Sequence, residues 1–193
     1  MGGPTRTTLA AFALVFLART LGGAFGIDPG AFALAAPLGH RPWTIATSVY
    51  THAGLGHLLA NAVALAVVGP LVARVSTPIR FHAFVLCTGG LAGIAQVVAT
   101  APFGRTAVLG ASGAVFALFG YVLIGNRASE RFVSWLPLGR RGRLAVLVVL
   151  AASLTAATAA PGVALVAHFV GFCLGALAGR GRILHATAEA ARR

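Results

Sequence analysis

Lysine is absent from this chain, and acidic residues number only 3, at Asp28, Glu130 and Glu189. Charged residues make up 9% of the 193 positions against 58% apolar ones, and the mean hydropathy is +0.90, so there is too little charge to solvate the surface of a water-soluble domain. Cysteine is almost as scarce. Cys87 and Cys173 lie in separate apolar runs with no CxxC spacing, which excludes a disulfide framework and leaves both to be read as buried free thiols. No carboxylate falls inside any long apolar run, which removes the usual pathway residues of a channel or carrier and the acidic member of a hydrolytic triad. No internal repeat is visible, which weighs against a transporter built from inverted halves. The formal charge of +12 comes from arginine alone, and a nucleic-acid-binding protein would gather such residues on one face. Here they fall between and after the apolar runs, so they mark membrane flanks and no nucleic-acid partner is expected.

Six apolar stretches are present, at about 7–25, 57–72, 81–101, 112–125, 144–160 and 163–178. The first, preceded by Arg6, has the outline of a secretory signal, but the stretches that follow make a retained span the better reading. Each is near the ~20 residues that cross ~30 Å of hydrocarbon, the second, fourth and sixth being short. The expected fold is an all-α integral membrane protein, a six-transmembrane-helix bundle forming a single domain over 1–193. With the N-terminus inside, the inner segments carry Arg6, Arg74, Arg80, Arg127, Arg131, Arg140, Arg141, Arg143, Arg180, Arg182, Arg192 and Arg193, and the outer ones carry Arg41 and Arg105. That asymmetry is a strong positive-inside signal and places both termini in the cytoplasm, with the cell membrane as the expected location. Arg19 lies inside the first span and is expected to snorkel or to face the bundle. Residues 131–137, with Phe132 and Trp135, read as an inner interfacial loop, and the tail after Gly179 reads as a frayed cytoplasmic end. The outer connection, 27–56, is too apolar for a free linker, with Phe32, Leu34, Trp43, Ile45 and Val49 among its residues, and is expected to lie half-embedded in the outer leaflet.

The fourth stretch carries the most information. At 1.5 Å per residue, 112–126 covers only about 22 Å, so a helix that reaches one surface begins well below the other. Ser112 then starts beneath the outer surface and the loop before it is submerged. Non-helical backbone is tolerated at that depth only where protein shields it or where it lines a wet cavity, so an aqueous pocket toward Ser112 is expected. A lone serine in a span is usually a small packing residue. Here Gly110 and Gly113 clear the approach to the hydroxyl, and a helix start offers unpaired N–H groups and its positive dipole end to an oxyanion. The segment Gly110-Ala111-Ser112-Gly113 has Ala114 where the GxSxG elbow has its last glycine, so the motif alone is weak.

His168 is the second element, because an ionisable side chain inside a span is functional by default. Imidazole, with an ordinary pKa of ~6.5, can take a proton from a serine at neutral pH. Gly171 and Gly175 lie at i+3 and i+7 from His168, and their GxxxG face lets this helix close on another, plausibly the fourth span. Without a carboxylate the machine is a Ser112-His168 dyad, and Phe116, one turn beyond Ser112, is placed to hold the ring by stacking. His57 and Asn61, four apart on one helix face, read either as hydrogen-bonding glue between helices or as donors of an oxyanion hole. A metal site on His52, His57 and His168 is the rival reading. It lacks a carboxylate or thiolate ligand at suitable spacing, so neither metal nor cofactor is expected.

The chain resembles the rhomboid intramembrane serine proteases of the minimal six-helix kind. The resemblance rests on 43–61, where His52, His57 and Asn61 match the family's HxxxxHxxxN, on Gly110-Ala111-Ser112-Gly113, and on Ala167-His168 with Gly171 and Gly175. It departs at Thr44, since the family often has Trp-Arg where this chain has Trp43-Thr44. The resemblance implies a nucleophile at Ser112, a base at His168, and an oxyanion site made of His57, Asn61 and the Ser112 backbone N–H. It also implies a membrane-embedded loop at 27–56 and a structural or supporting place for His52. The implied activity is endopeptidase cleavage of single-span membrane proteins in or near the outer leaflet, with the bilayer and transmembrane substrates as partners. A non-catalytic member that binds or escorts transmembrane helices is the alternative.

Overall fold

The computed structural model describes residues 3–104, 107–125 and 138–186; the expected interfacial loop 131–137 lies outside them. Apolar runs locate the helices, but capping residues set where they begin. Helix α1, Gly3–Ala24, starts ahead of its apolar run with Pro4 in the first turn, where a missing N–H costs nothing. Helix α4, Pro78–Thr100, starts before the first apolar residues of its run because Thr77 accepts the Arg80 N–H at 3.3 Å and Pro78 fixes the first helical φ. Between them, 44–50 forms the short helix α2, Thr44–Tyr50, inside the connection 27–56, and α3 is Leu55–Ala73. Then come α5, Ser112–Gly125, α6, Arg140–Ala157, and α7, Leu165–Arg180. Among the described residues the only extended pairing is an isolated bridge between Leu34 and Val108.

By length and composition three of these helices can cross a membrane: α1, α3, and α4 with the 3-10 turn that continues it to Phe103. Helices α5 and α7 are apolar but have 14 and 16 residues, about 21 and 24 Å of rise. Helix α6 opens with Arg140, Arg141 and Arg143 and turns apolar only beyond them. Outward faces are apolar: Leu59, Val63, Val67 and Leu71 recur every fourth residue along α3 and are all exposed, as are Leu14, Leu17 and Leu21 on α1. Polar side chains lie within, including Thr8, His52, Asn61, Thr88, Gln96 and His168. This distribution is built for hydrocarbon outside and hydrogen bonding inside. Cys87 departs from the expected burial, standing exposed on the α4 face that also presents Leu91. Its place in an apolar run says nothing about which side of the helix it occupies. Cys173 is half-buried.

The connection 27–56 is seated on a shelf of glycines on α4. A Cβ at Gly89 would meet Val49 at 2.8 Å, one at Gly90 would meet Ile45 at 3.0 Å, and one at Gly93 would meet Leu34 at 3.2 Å. Leu34 and Val49 are fully buried there, while Trp43 stays 56% exposed. Arg19 ties the end of this segment to α1, its Nη1 donating to the carbonyls of His52 and Ala53 at 3.2 and 3.4 Å. The tail is docked as far as Ala186. Its Leu184 is buried, Ala186 N donates to Val75 O at 2.8 Å, and Arg80 Nη1 donates to His185 O at 2.9 Å. The expectation of a frayed end after Gly179 fails over 181–186, because its polar groups find partners at the ends of α3 and α4.

Candidate active site

Helices α5 and α7 are the most extensively packed pair in the fold. Their seam is backbone against backbone. Cβ atoms added at Gly171 and Gly175 would run into the carbonyl oxygens of Gly113 and Ala117, and one at Gly179 would lie 2.7 Å from Tyr121 O. The three glycines are four apart, and so are the residues they face, so a single ridge is held in register over two turns. Gly113 also receives Ala92 of α4, at 2.7 Å from a Cβ built there.

This seam puts the first turns of α5 and α7 side by side, and with them Ser112 and His168. His168 is 5% exposed and stacks on Phe116, with ring centroids 4.3 Å apart and planes 15° from parallel. Phe116 lies one turn after Ser112 on the same helix, and helical side chains lean toward the N-terminus, so the imidazole is held over the turn that carries the serine. Ser112 itself is half-buried. Val115 N donates to Ala111 O at 2.9 Å as the first helical bond of α5, so the N–H groups of Ser112, Gly113 and Ala114 have no partner within the helix.

The loop before Ser112 is pinned by the connection 27–56. Leu34 and Val108 exchange two backbone hydrogen bonds of 2.8 Å, and Gly110 N donates to Ser48 O of α2 at 2.8 Å. Gly110 takes a φ of 122°, which side chains rarely adopt, and a Cβ there would lie 2.6 Å from His57 Cε1 and 2.7 Å from Nε2. The His57 ring therefore lies directly on the main chain two residues before the serine. His57 meets His52 edge to face at 5.2 Å, and His52 meets Phe12 at 4.8 Å, so the three rings form a row that is buried at Phe12 and His52 and half-buried at His57. His52 lies in the connection between α2 and α3, where burial first and the neighbouring His57 second push its pKa down to about 4, against an opposing hydrogen bond that its Nδ1–H donates to the Tyr50 carbonyl at 3.2 Å. Asn61 is buried, and its Nδ2 donates to the carbonyl of His57 at 2.9 Å, linking the two residues through the helix they share.

Two contributors were not evident in the sequence. Gln96 of α4 accepts the Ala167 N–H at 3.1 Å and caps α7 one residue before His168. Thr158, at the C-terminal end of α6, lies 2.9 Å from His168 Nδ1. A lone glutamine in an apolar run is a signal for interhelical hydrogen bonding. Thr158 sits at the end of such a run, where nothing in the spacing ties it to residue 168. A cavity of about 560 Å³ lined by Leu71, Val75, Tyr121, Arg182 and His185 is at the opposite end of α5 and belongs to a different place.

A helical membrane protein with a serine at the start of a short helix and a histidine in the first turn of the helix packed on it is the class that this fold defines. A family profile described as Rhomboid domain matches residues 39–184, and the chain belongs to the rhomboid family. It is 28% identical over 135 residues, 70% of this chain, to a protein of Bacillus subtilis (strain 168) named "Putative rhomboid protease YdcA", and it spans 64% of that protein's length.

Proposed function

We propose that this chain is an intramembrane serine endopeptidase that cuts single-span membrane proteins in or near the outer leaflet, using Ser112 and His168. The observation that carries the reading is the His168 ring stacked on Phe116, one turn along α5 from Ser112 and beside the Gly113–Gly171 contact. In this reading Ser112 Oγ attacks the scissile carbonyl while His168 Nε2 takes its proton. The tetrahedral oxyanion is met by the Ser112 N–H, by His57 and by the second Nδ2 proton of Asn61, the first being given to the His57 carbonyl. Collapse expels the amine, which takes the proton back from His168, and water then releases the acyl group from Ser112 by the same proton route. Gly110 leaves room for the His57 ring and Gly113 for Ala92 of α4, so neither opens the approach to the hydroxyl as the sequence suggests; Gly171 and Gly175 set the approach of α7, and His52 supports His57. The proposed topology is six crossings as one membrane domain of the cell membrane with both termini cytoplasmic, in keeping with the arginine asymmetry. A substrate helix hides its peptide bonds, so small residues at the cut and helix-weakening Gly or Pro nearby are the preferred features.

The test is cleavage of a model single-span protein in liposomes, with fluorophosphonate labelling of the same preparations. Cleavage and labelling lost in Ser112→Ala and in His168→Ala support the enzyme; full cleavage by Ser112→Ala overturns it. A folded protein that never labels and never cleaves favours the escort of transmembrane helices instead.

A further inference from the structure

Among the described residues Thr158 Oγ1 has two polar neighbours. It lies 2.8 Å from the carbonyl of Thr155 and 2.9 Å from His168 Nδ1. A hydroxyl has one proton, a carbonyl can only accept, and a neutral imidazole nitrogen can do either. Only one assignment makes both contacts hydrogen bonds: the Thr158 proton goes to Thr155 O, and Thr158 Oγ1 accepts from His168 Nδ1–H. The opposite assignment, with the hydroxyl donating to Nδ1, sets two oxygens against each other with no proton between them.

We propose that Thr158 is a positioning residue of the site: its hydroxyl, with its own proton committed to the Thr155 carbonyl, holds His168 in the Nδ1–H form and leaves the Nε2 lone pair for Ser112. The inference rests on the Ser112-His168 reading and deepens it. In a Ser-His-Asp triad the carboxylate both selects the tautomer and stabilises the imidazolium that forms. A threonine performs the first task and not the second. Phe116 fixes the plane of the ring, yet a stack is indifferent to which nitrogen carries the proton and to a half-turn of the ring about its bond to Cβ. The bond to Thr158 breaks both ambiguities. Thr158 is itself fixed at the end of α6, its N–H bonded to Thr155 O at 3.1 Å. Both groups of the Thr158–His168 contact are neutral, so no charge strengthens it. The effect expected is therefore that of one ordinary hydrogen bond.

The ring nitrogens report the tautomer directly. Protein labelled with 15N-histidine in the Ser112→Ala background, compared with Ser112→Ala/His168→Gln to identify the resonance, is expected to show His168 with a protonated Nδ1 and a bare Nε2. Adding Thr158→Val should give a mixture of the two neutral forms. In the unsubstituted protein, Thr158→Val should slow fluorophosphonate labelling about fivefold, the worth of one net hydrogen bond, and Thr158→Ser should restore it to within about twofold. A bare Nδ1 in the Ser112→Ala spectrum overturns the proposal whatever the variants do. So does Thr158→Val labelling at the unsubstituted rate, or Thr158→Ser labelling no faster than Thr158→Val. Failure of the dyad reading is separate: it would appear as undiminished labelling in Ser112→Ala, which the spectrum does not depend on.

Discussion

Replacing Gly110 with alanine strikes the site by two routes that can be separated. The first is backbone strain, since a φ of 122° is unfavourable for any residue with a Cβ and costs about 1–3 kcal/mol. The second is collision, because the new Cβ would lie 2.6 and 2.7 Å from two atoms of the His57 ring, some 0.7 Å inside ordinary contact. The ring must swing or the loop must lift, and overpacking of this kind costs typically about 1–3 kcal/mol. Gly104 is the internal control. Its φ is 128°, and among the described residues nothing lies within 4 Å of a Cβ built there, so Gly104→Ala carries the strain without the collision. Thermal unfolding in detergent should therefore show Gly110→Ala less stable than Gly104→Ala by about 1–3 kcal/mol. Fluorophosphonate labelling should fall about a hundredfold in Gly110→Ala, the cost of losing one oxyanion donor, and little in Gly104→Ala. The double variant Gly110→Ala/His57→Ala should regain part of the stability because the clashing ring is gone, while labelling stays low. Equal losses from the two single substitutions, or no recovery in the double, would refute the idea that His57 is pressed against the main chain before Ser112.

Gly175→Ala would drive a methyl group into the Ala117 carbonyl and force α5 and α7 apart. Its stability should drop by about 1–3 kcal/mol, and labelling should drop further, since a displacement of about 1 Å can cost a hundredfold in rate. Gly56→Ala in α3, with open space around it, should be neutral or slightly stabilising in the same melts. His52 predicts an acid sensitivity. Its pKa is about 4 in the folded protein against ~6.5 in the unfolded chain, so as pH falls the unfolded chain takes the proton first. The stability it contributes is nearly complete at pH ~7.5 and is lost as pH falls through ~6.5 toward 4, amounting to about 2 kcal/mol between pH ~7.5 and ~5. Charging it would set a cation beside His57 and add a proton to Nε2, a buried atom with no hydrogen-bond partner among the described residues. Melting curves of the unsubstituted protein and of His52→Gln at pH 7.5 and 5 check this; an unchanged difference between the two pH values in the variant would refute it.

Features that depend on sequence-local physics could be read in advance. The start of α5 at Ser112 follows from glycines that end the preceding loop, and the close face of α7 follows from small residues at a fixed spacing. Family membership follows from motifs with several fixed positions, above all His52, His57 and Asn61. Facts that depend on the partner of a side chain could not be read. For Arg19 the sequence says only that it snorkels or faces the bundle, and its partners, the carbonyls of His52 and Ala53, come from the fold. Gln96 and Thr158 meet residues far from them in sequence, at Ala167 and His168. The exposed face of Cys87 and the short α2 were hidden for a related reason. Apolar content locates a helix in the bilayer but does not orient it, and a seven-residue helix is settled by the α4 shelf it rests on.

The contact between α5 and α7 is made of main-chain atoms, and main-chain atoms have no rotamers. Side-chain packing between helices can be retuned by many compensating substitutions, each shifting the helix axes by a fraction of an ångström. A contact of glycine against carbonyl has no such adjustment: it is either closed or broken. The gap between residue 112 and residue 168 is thereby gauged by the peptide unit itself, the least compressible spacer a protein has. Substitutions elsewhere in the bundle, and lipids of different thickness around it, can tilt the pair as a unit but cannot gradually part the two main chains that carry residues 112 and 168.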